Sequence, residues 1–214
     1  MGHTLKPPPG RRERRRRETR ERIFRAALRL FAQRGFLATK IEDITEAADV
    51  GKGTFFNYFP SKEHLLVAFA EMQLGKAQAV VGQFPGGASY HELMQRLLPV
   101  IAEEPGHSAD LVRSILAAAL LNTPARRVMR RNFLRRFLPF QTALLSAGQR
   151  RGEIRADREA QELARHVLRN FLGTLFLWAL APQKGLAAGL TSNFELLWGT
   201  LQSPNTRSHR EKHA

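Results

Sequence analysis

A seven-residue stretch, Lys52 to Tyr58 (KGTFFNY), holds the side chains best suited to contacting another molecule. Lys52 is cationic, and Thr54, Asn57 and Tyr58 carry hydroxyl and amide groups that can both donate and accept hydrogen bonds. The stretch would form about two turns of helix, a length that fits the major groove of DNA. These residue types therefore indicate recognition of bases and phosphates.

The residues before and within this stretch predict a helix-turn-helix. Thr39 and Glu42 have the spacing of a capping box, which starts a short helix, and residues 49–51 (DVG) break that helix. Phe55 and Phe59 are four residues apart, so both can point inward. The first short helix is expected to bury one apolar face: Ile41, Ile44, Ala47 and Ala48.

A further helix is expected directly after the stretch. Pro60 ends the second short helix, Ser61 is the expected N-cap of the next one, and Lys62 in its first turn can reach a phosphate. Many helical hairpins share this spacing, so the pattern alone also fits a capped hairpin in an ordinary globular core.

Composition favours a polyanionic partner. The 214 residues carry a formal net charge of +15, with a sequence pI near 11.4. The absence of cysteine excludes disulfides, thiolate catalysis and Cys-type zinc sites, and is compatible with a reducing cytoplasm. The most apolar run, 171–181, is shorter than the roughly 20 residues that span a bilayer. No apolar signal-peptide core follows the arginine-rich start, so a cytoplasmic location is expected.

An arginine-rich arm, 11–22 (RRERRRRETRER), precedes the helix-turn-helix. It could be a solvated, self-repelling segment, or it could follow the DNA backbone or enter the adjacent minor groove. We favour DNA contact because the arm leads directly into the helix-turn-helix. Residues 1–16 are expected to be a disordered basic arm, with the first helix running from about Arg17 to Arg34 and Gly35 as its C-cap.

The run from Thr19 to Leu66 resembles the N-terminal domain of the tetracycline-repressor (TetR) family of bacterial regulators. Gly51 stands where a Ser or Thr often caps the recognition helix, and Phe56 stands where a Tyr is common. The positions that carry the resemblance are Thr19-Arg20, Ala27, Phe31, Gly35, Thr39, Ile44, Ala47-Ala48, Val50, Gly53-Thr54, Tyr58-Phe59 and Ser61-Lys62.

The resemblance implies an all-α protein of about nine helices that binds a palindromic operator as a homodimer. A DNA-binding domain is expected at 17–77 (helix-turn-helix about 40–59), an effector-binding and dimerisation domain at 78–202, and a disordered tail at 203–214. It further implies a ligand-responsive repressor. The residues expected to contact double-stranded DNA are Thr39, Lys40, Lys52, Gly53, Thr54, Phe56, Asn57, Tyr58 and Lys62.

The C-terminal helices carry two further sets of apolar residues, each of which could equally be plain core. The resemblance implies that the middle helices surround a cavity for a small hydrophobic effector, and the candidate lining residues are Met94, Leu97, Ile101, Ile115, Met129, Phe133, Phe137 and Phe171. The last two long helices have more apolar surface than one side can bury, which indicates a subunit interface. The interface candidates are Val167, Leu175, Trp178, Phe194 and Trp198.

No catalytic or metal-binding set stands out, and no cofactor, metal or membrane partner is expected. Glu103 and Glu104 are adjacent in sequence and would point apart, while His209 and His213 lie in the tail without further ligands. Two alternatives to a specific regulator remain: a protein that binds nucleic acid through charge alone, and a ligand-binding protein with a vestigial DNA head.

Overall fold

The computed structural model describes residues 10–84, 87–102, 108–182 and 185–203. Within these ranges the chain is built from helices, with one isolated bridge between Ile154 and Gln202, which confirms the all-α prediction. Two of the ten α-helices are joined by a π-helical segment into one continuous rod, so the described helices number nine when this rod is counted once. No helix in the described ranges is long and apolar enough to cross a membrane.

Four helices make up the N-terminal region: α1 (Arg11–Arg34), α2 (Ile41–Ala47), α3 (Lys52–Tyr58) and α4 (Glu63–Gly82). They enclose a core that includes Phe31, Phe55 and Leu65. This core also takes in Leu111 and Ala118 from a later helix, so the N-terminal region is packed directly onto the rest of the chain.

The remaining helices are α5 (Tyr90–Ala102), α6 (Ala109–Leu121), α7 (Thr123–Met129), α8 (Arg135–Arg150), α9 (Ala160–Leu180) and α10 (Leu186–Leu201). A π-helical segment, Arg130–Leu134, joins α7 to α8 so that the three form one continuous rod. A second core lies between α5, α8, α9 and α10 and includes Tyr90, Leu145 and Phe194.

The first helix begins earlier than the sequence predicted. Residues 11–16 are helical, so the expectation of disorder over that part of 1–16 is wrong. Arginine is a good helix former, and Glu13 accepts an ion-pair hydrogen bond from Arg17 one turn later (Nη2 to Oε1, 3.3 Å). These two effects outweigh the mutual repulsion of the arginines. Residues 1–9 lie outside the described part of the chain, as do Glu103, Glu104 and 204–214.

Side chains or neighbouring residues cap several of the helices. Asn122 caps α7 by accepting from the Ala125 N–H (2.7 Å), and Glu159 precedes α9. Asp157 forms two hydrogen bonds of 2.6 Å with Arg155. At the start of α5, the Ser89 N–H donates to the Glu92 carboxylate (2.9 Å).

Candidate nucleic-acid interface and internal cavity

Helix α3 has the bounds the sequence predicted and divides its side chains between core and surface. Phe55 and Phe59 are buried, with ring centroids 5.9 Å apart. Asn57 is exposed, and Phe56 is 50% exposed although it is aromatic. The buried pair fixes the rotation of the helix, so the polar side chains stay on the open side.

The turn between α2 and α3 differs in detail from the expectation. The residue with a left-handed backbone is Asp49 (φ 49°), whereas Gly51 is extended (φ −74°) and precedes α3 as its N-cap. Aspartate tolerates this conformation because its short side chain can hydrogen-bond locally. Ala47, expected to face the core, is exposed, and Thr45 is buried in its place.

Thr39 does not start α2, and its predicted phosphate contact is contradicted by its burial. Its side chain is 1% exposed, and its hydroxyl donates to the Gly35 carbonyl at 2.7 Å. Lys40 occupies the N-cap position, where its backbone N–H donates to the Asp43 carboxylate at 2.8 Å. Only half of the capping box predicted at Thr39 and Glu42 is therefore formed, one residue later, because Thr39 closes the end of α1 and the Lys40 ammonium group cannot accept from a backbone N–H.

Lys62 ties the start of α4 to the loop before α2. Its ammonium group donates to the carbonyls of Phe36 and Thr39, each at 2.7 Å, and lies 4.4 Å from the centroid of the Phe36 ring. Partial burial lowers the pKa of Lys62. These contacts occupy two of its three N–H groups, so Lys62 positions the helix-turn-helix in this structure.

The open side of the helix-turn-helix forms a shallow groove with cations at its edges. Lys40 and Lys52 border it, and Glu42 on α2 forms an ion pair with Lys52 on α3. The hydrogen bond from Lys52 lowers the pKa of Glu42, which keeps that carboxylate ionised. Leu37 also lines the groove and is 50% exposed, and it was not predicted from the sequence. The only feature that could have indicated it is an apolar residue in the turn between α1 and α2.

A second feature is a cavity of about 150 Å³ between α4 and the C-terminal helices. It lies among helices α4, α5, α6 and α9 and the rod formed by α7 and α8. The structure brings together around it all eight residues proposed from the sequence: Met94, Leu97, Ile101, Ile115, Met129, Phe133, Phe137 and Phe171. Two residues that the sequence did not single out, Gln73 and Gln141, also line it.

The predicted interface residues lie mostly inward. Val167 and Phe194 are each 3% exposed core residues, so their assignment to a subunit interface is wrong. Leu175 lines the cavity, and the two tryptophans pack partly against the second core. Helix α9 carries apolar residues on two faces, and the residues predicted from the sequence to form an interface lie on its inner face. The exposed apolar side chains of α9 and α10 are Leu172, Phe176, Leu177, Leu180 and Leu196.

Residues 23–69 match the family model described as bacterial regulatory proteins, tetR family. The chain is 38% identical to the transcriptional repressor KstR of Rhodococcus jostii over 85 residues, which are 40% of this chain and 40% of KstR. For several curated relatives the matched residues are only a limited share of the relative's own length, as little as 18% for one regulator of Bacillus subtilis.

Two likenesses extend over most of the chain. The repressor DhaR of Mycobacterium sp. is 25% identical over 193 residues, covering 88% of this chain and 97% of DhaR. The crystal structure of Thermus thermophilus FadR, a TetR family repressor in complex with lauroyl-CoA, superposes with a TM-score of 0.63 at 29% identity. That superposition covers 83% of this chain and 92% of FadR.

Proposed function

Because the chain belongs to the TetR family of bacterial transcriptional regulators, we propose that it is a ligand-responsive repressor that binds a palindromic operator as a homodimer. The observation that carries the proposal is helix α3, whose buried Phe55 and Phe59 leave Asn57 exposed on the surface of a strongly basic chain. This arrangement suits a helix that enters the major groove. An operator-binding function places the protein in the bacterial cytoplasm.

On α3, Lys52, Thr54, Asn57 and Tyr58 are assigned to operator contact. Gly53 is exposed in the first turn of α3, where its missing side chain lets a DNA backbone approach closely. Lys40 is exposed beside the groove and is assigned to a phosphate. Phosphate contacts of this kind set position and affinity, whereas contacts to base edges select sequence.

A homodimer is supported by the outer faces of α9 and α10. Leu177 is 66% exposed and Leu196 is 76% exposed. Apolar side chains this exposed on two neighbouring helices favour an interface with a second copy. A two-fold axis between the copies would present two α3 helices to the two halves of a palindrome.

Ligand response is supported by the position of the cavity. Helix α4 lines it with Phe69 and Gln73, and the same helix begins directly after the groove, at Glu63. On the other side of the cavity, α6 contributes Ile115 to the lining. The same helix contacts the turn that follows α1, because Ser114 Oγ accepts from the Phe36 N–H at 2.7 Å. A ligand that moves α4 or α6 would therefore shift the helix-turn-helix. Lauroyl-CoA bound to FadR supports a small-molecule effector for this chain as well.

The proposal is tested by selecting bound duplexes from a random library with the purified full chain at physiological salt. Recovery of a palindrome with two half-sites one helical turn apart is expected. Binding without any recovered motif would favour the alternative, a protein attracted to nucleic acid by charge alone. Absence of DNA binding, with a ligand bound in the cavity, would favour a vestigial DNA head.

A further inference from the structure

Two amide side chains, Gln73 and Gln141, line the cavity and can form hydrogen bonds with a ligand. None of its described lining residues is charged. The carbonyl oxygen of Gln73, on α4, is buried and has no hydrogen-bond partner within the described chain. A buried acceptor that goes without a partner costs about 1–3 kcal/mol. Gln73 lines the cavity, and a ligand that donates a hydrogen bond to this oxygen, once the side chain turns it toward the cavity, would remove that cost.

Gln141, on α8, provides the complementary group. It is 2% exposed, and the only hydrogen bond of its side chain within the described residues is at the carbonyl oxygen, which accepts from the Tyr90 hydroxyl at 3.2 Å. Tyr90 is fully buried, so its hydroxyl needs this acceptor and sets the orientation of the amide. The amide nitrogen is left to donate to a molecule in the cavity that Gln141 lines.

The remaining lining sets the size and polarity of the ligand. A cavity of about 150 Å³ with apolar walls has the volume that holds a benzene-sized molecule. Phe133 and Phe137 stack at 5.1 Å between ring centroids and give the wall a flat aromatic surface. An ionised ligand would lose its hydration here without meeting an opposite charge on the described walls, which is strongly unfavourable.

We infer that the cavity binds a compact, uncharged molecule about one ring in size that donates a hydrogen bond to Gln73 and accepts one from Gln141. The inference rests on the proposed function only in taking this cavity as the effector site. It assigns Gln73 and Gln141 as the residues that determine ligand specificity. The high positive charge of the chain would by itself favour an anionic ligand. The lining of the cavity and the net charge of the chain therefore predict different ligands.

Three one-ring probes separate these expectations: benzamide, toluene and benzoate, titrated into the full chain at pH 7 by calorimetry. Benzamide carries both the donor and the acceptor, toluene carries neither, and benzoate carries a charge. We expect benzamide to bind at least tenfold more tightly than toluene, and benzoate to bind most weakly. Tighter or equal binding of benzoate would overturn the inference, as would failure of all three to bind at millimolar concentration.

Two variants locate the polar contacts. Gln73→Met removes the unpartnered oxygen at nearly constant volume, and we expect the preference for benzamide over toluene to fall about tenfold, the worth of one hydrogen bond. The double variant Tyr90→Phe/Gln141→Met removes both partners of the buried bond, so neither is left unsatisfied, and should lower the same preference. Gln95→Met, on the exposed face of α5, is the matched control. An unchanged preference in Gln73→Met would refute the assignment.

Operator binding gives a separate readout. A protein that selects a palindrome but does not distinguish benzamide from benzoate would contradict the ligand chemistry and leave the proposed function intact. A protein that binds benzamide with the expected preferences but selects no palindrome would contradict the proposed function and support the cavity's assignment.

Discussion

At the scale of single residues, α3 separates the side chains that pack into the core from those that we propose contact DNA. Phe55 makes an edge-on contact with Phe56 (5.4 Å between centroids, 88° between planes), while its own ring is fully buried. The anchored side is apolar and the free side carries amide and hydroxyl groups. Substitutions on the free side should therefore alter recognition without altering stability.

Asn57→Ala tests this separation. An exposed asparagine can form a bidentate contact to adenine, so its loss should relax base preference at one position in each half-site and cost about 1–3 kcal/mol there. The measurement is a competition between duplexes that differ at single positions. If affinity fell equally on every sequence, Asn57 would be a phosphate contact rather than a base reader.

Lys62→Met tests the structural role of a residue that the sequence assigned to phosphate. The variant leaves the carbonyls of Phe36 and Thr39 without their shared donor, so we expect unfolding free energy to fall by about 1–2 kcal/mol. Chemical denaturation measures this, with the exposed Lys40→Met as control. Wild-type stability together with weakened operator binding would restore the phosphate assignment.

At the scale of elements, the end of α8 depends on one close approach. A Cβ atom on Gly148 would lie 2.6 Å from Cγ1 of Ile154, because the chain turns back there and the N–H groups of Glu153 and Ile154 both point to the Gly148 carbonyl. Tyr90 joins the same corner, since its N–H donates to the Glu153 carboxylate at 3.0 Å. This corner connects α5, α8 and the segment that leads into α9.

Gly148→Ala should therefore lower stability by about 1–3 kcal/mol, the usual cost of overpacking. Gly75→Ala is the matched control, because it lies inside α4 with nothing within 4 Å of the added methyl group. That control should raise stability by about 0.5–1 kcal/mol through helix propensity. Thermal unfolding of both variants measures the contrast, and a stabilising Gly148→Ala would contradict the packing described here.

The N-terminal turns of α1 should contribute salt-sensitive affinity. Replacing Arg12, Arg14, Arg15 and Arg16 by Gln keeps helix formers in place while removing charge. The dependence of log affinity on log salt should become shallower by about 0.9 for each DNA phosphate that an arginine no longer neutralises. The control variant loses the same charge elsewhere, with Gln replacing four exposed arginines on the helical rod: Arg126, Arg127, Arg130 and Arg131. Equal effects of the two sets would mean that net charge alone matters.

At the scale of the whole molecule, the features that could be predicted from the sequence are those determined by residues close together in the chain. The bounds of α3 follow from helical spacing and breakers, and all eight residues that the family resemblance implied for an effector site line the cavity. Thr39 was misassigned, and the structural contacts of Lys62 were not foreseen, because their partners, Gly35 and Phe36, are brought to them by the turn rather than by spacing. The unpaired oxygen of Gln73 and the choice of inner or outer face on α9 depend on packing across the fold.

Sequence-specific operator binding is best tested by the ratio of the full chain's affinities for its selected duplex and for a scrambled duplex of the same composition. Fluorescence anisotropy at several salt concentrations supplies both affinities. We expect a ratio of at least about 10³ at physiological salt. A ratio near one, with both affinities falling steeply as salt rises, would contradict the claim and leave a protein that binds nucleic acid through charge alone.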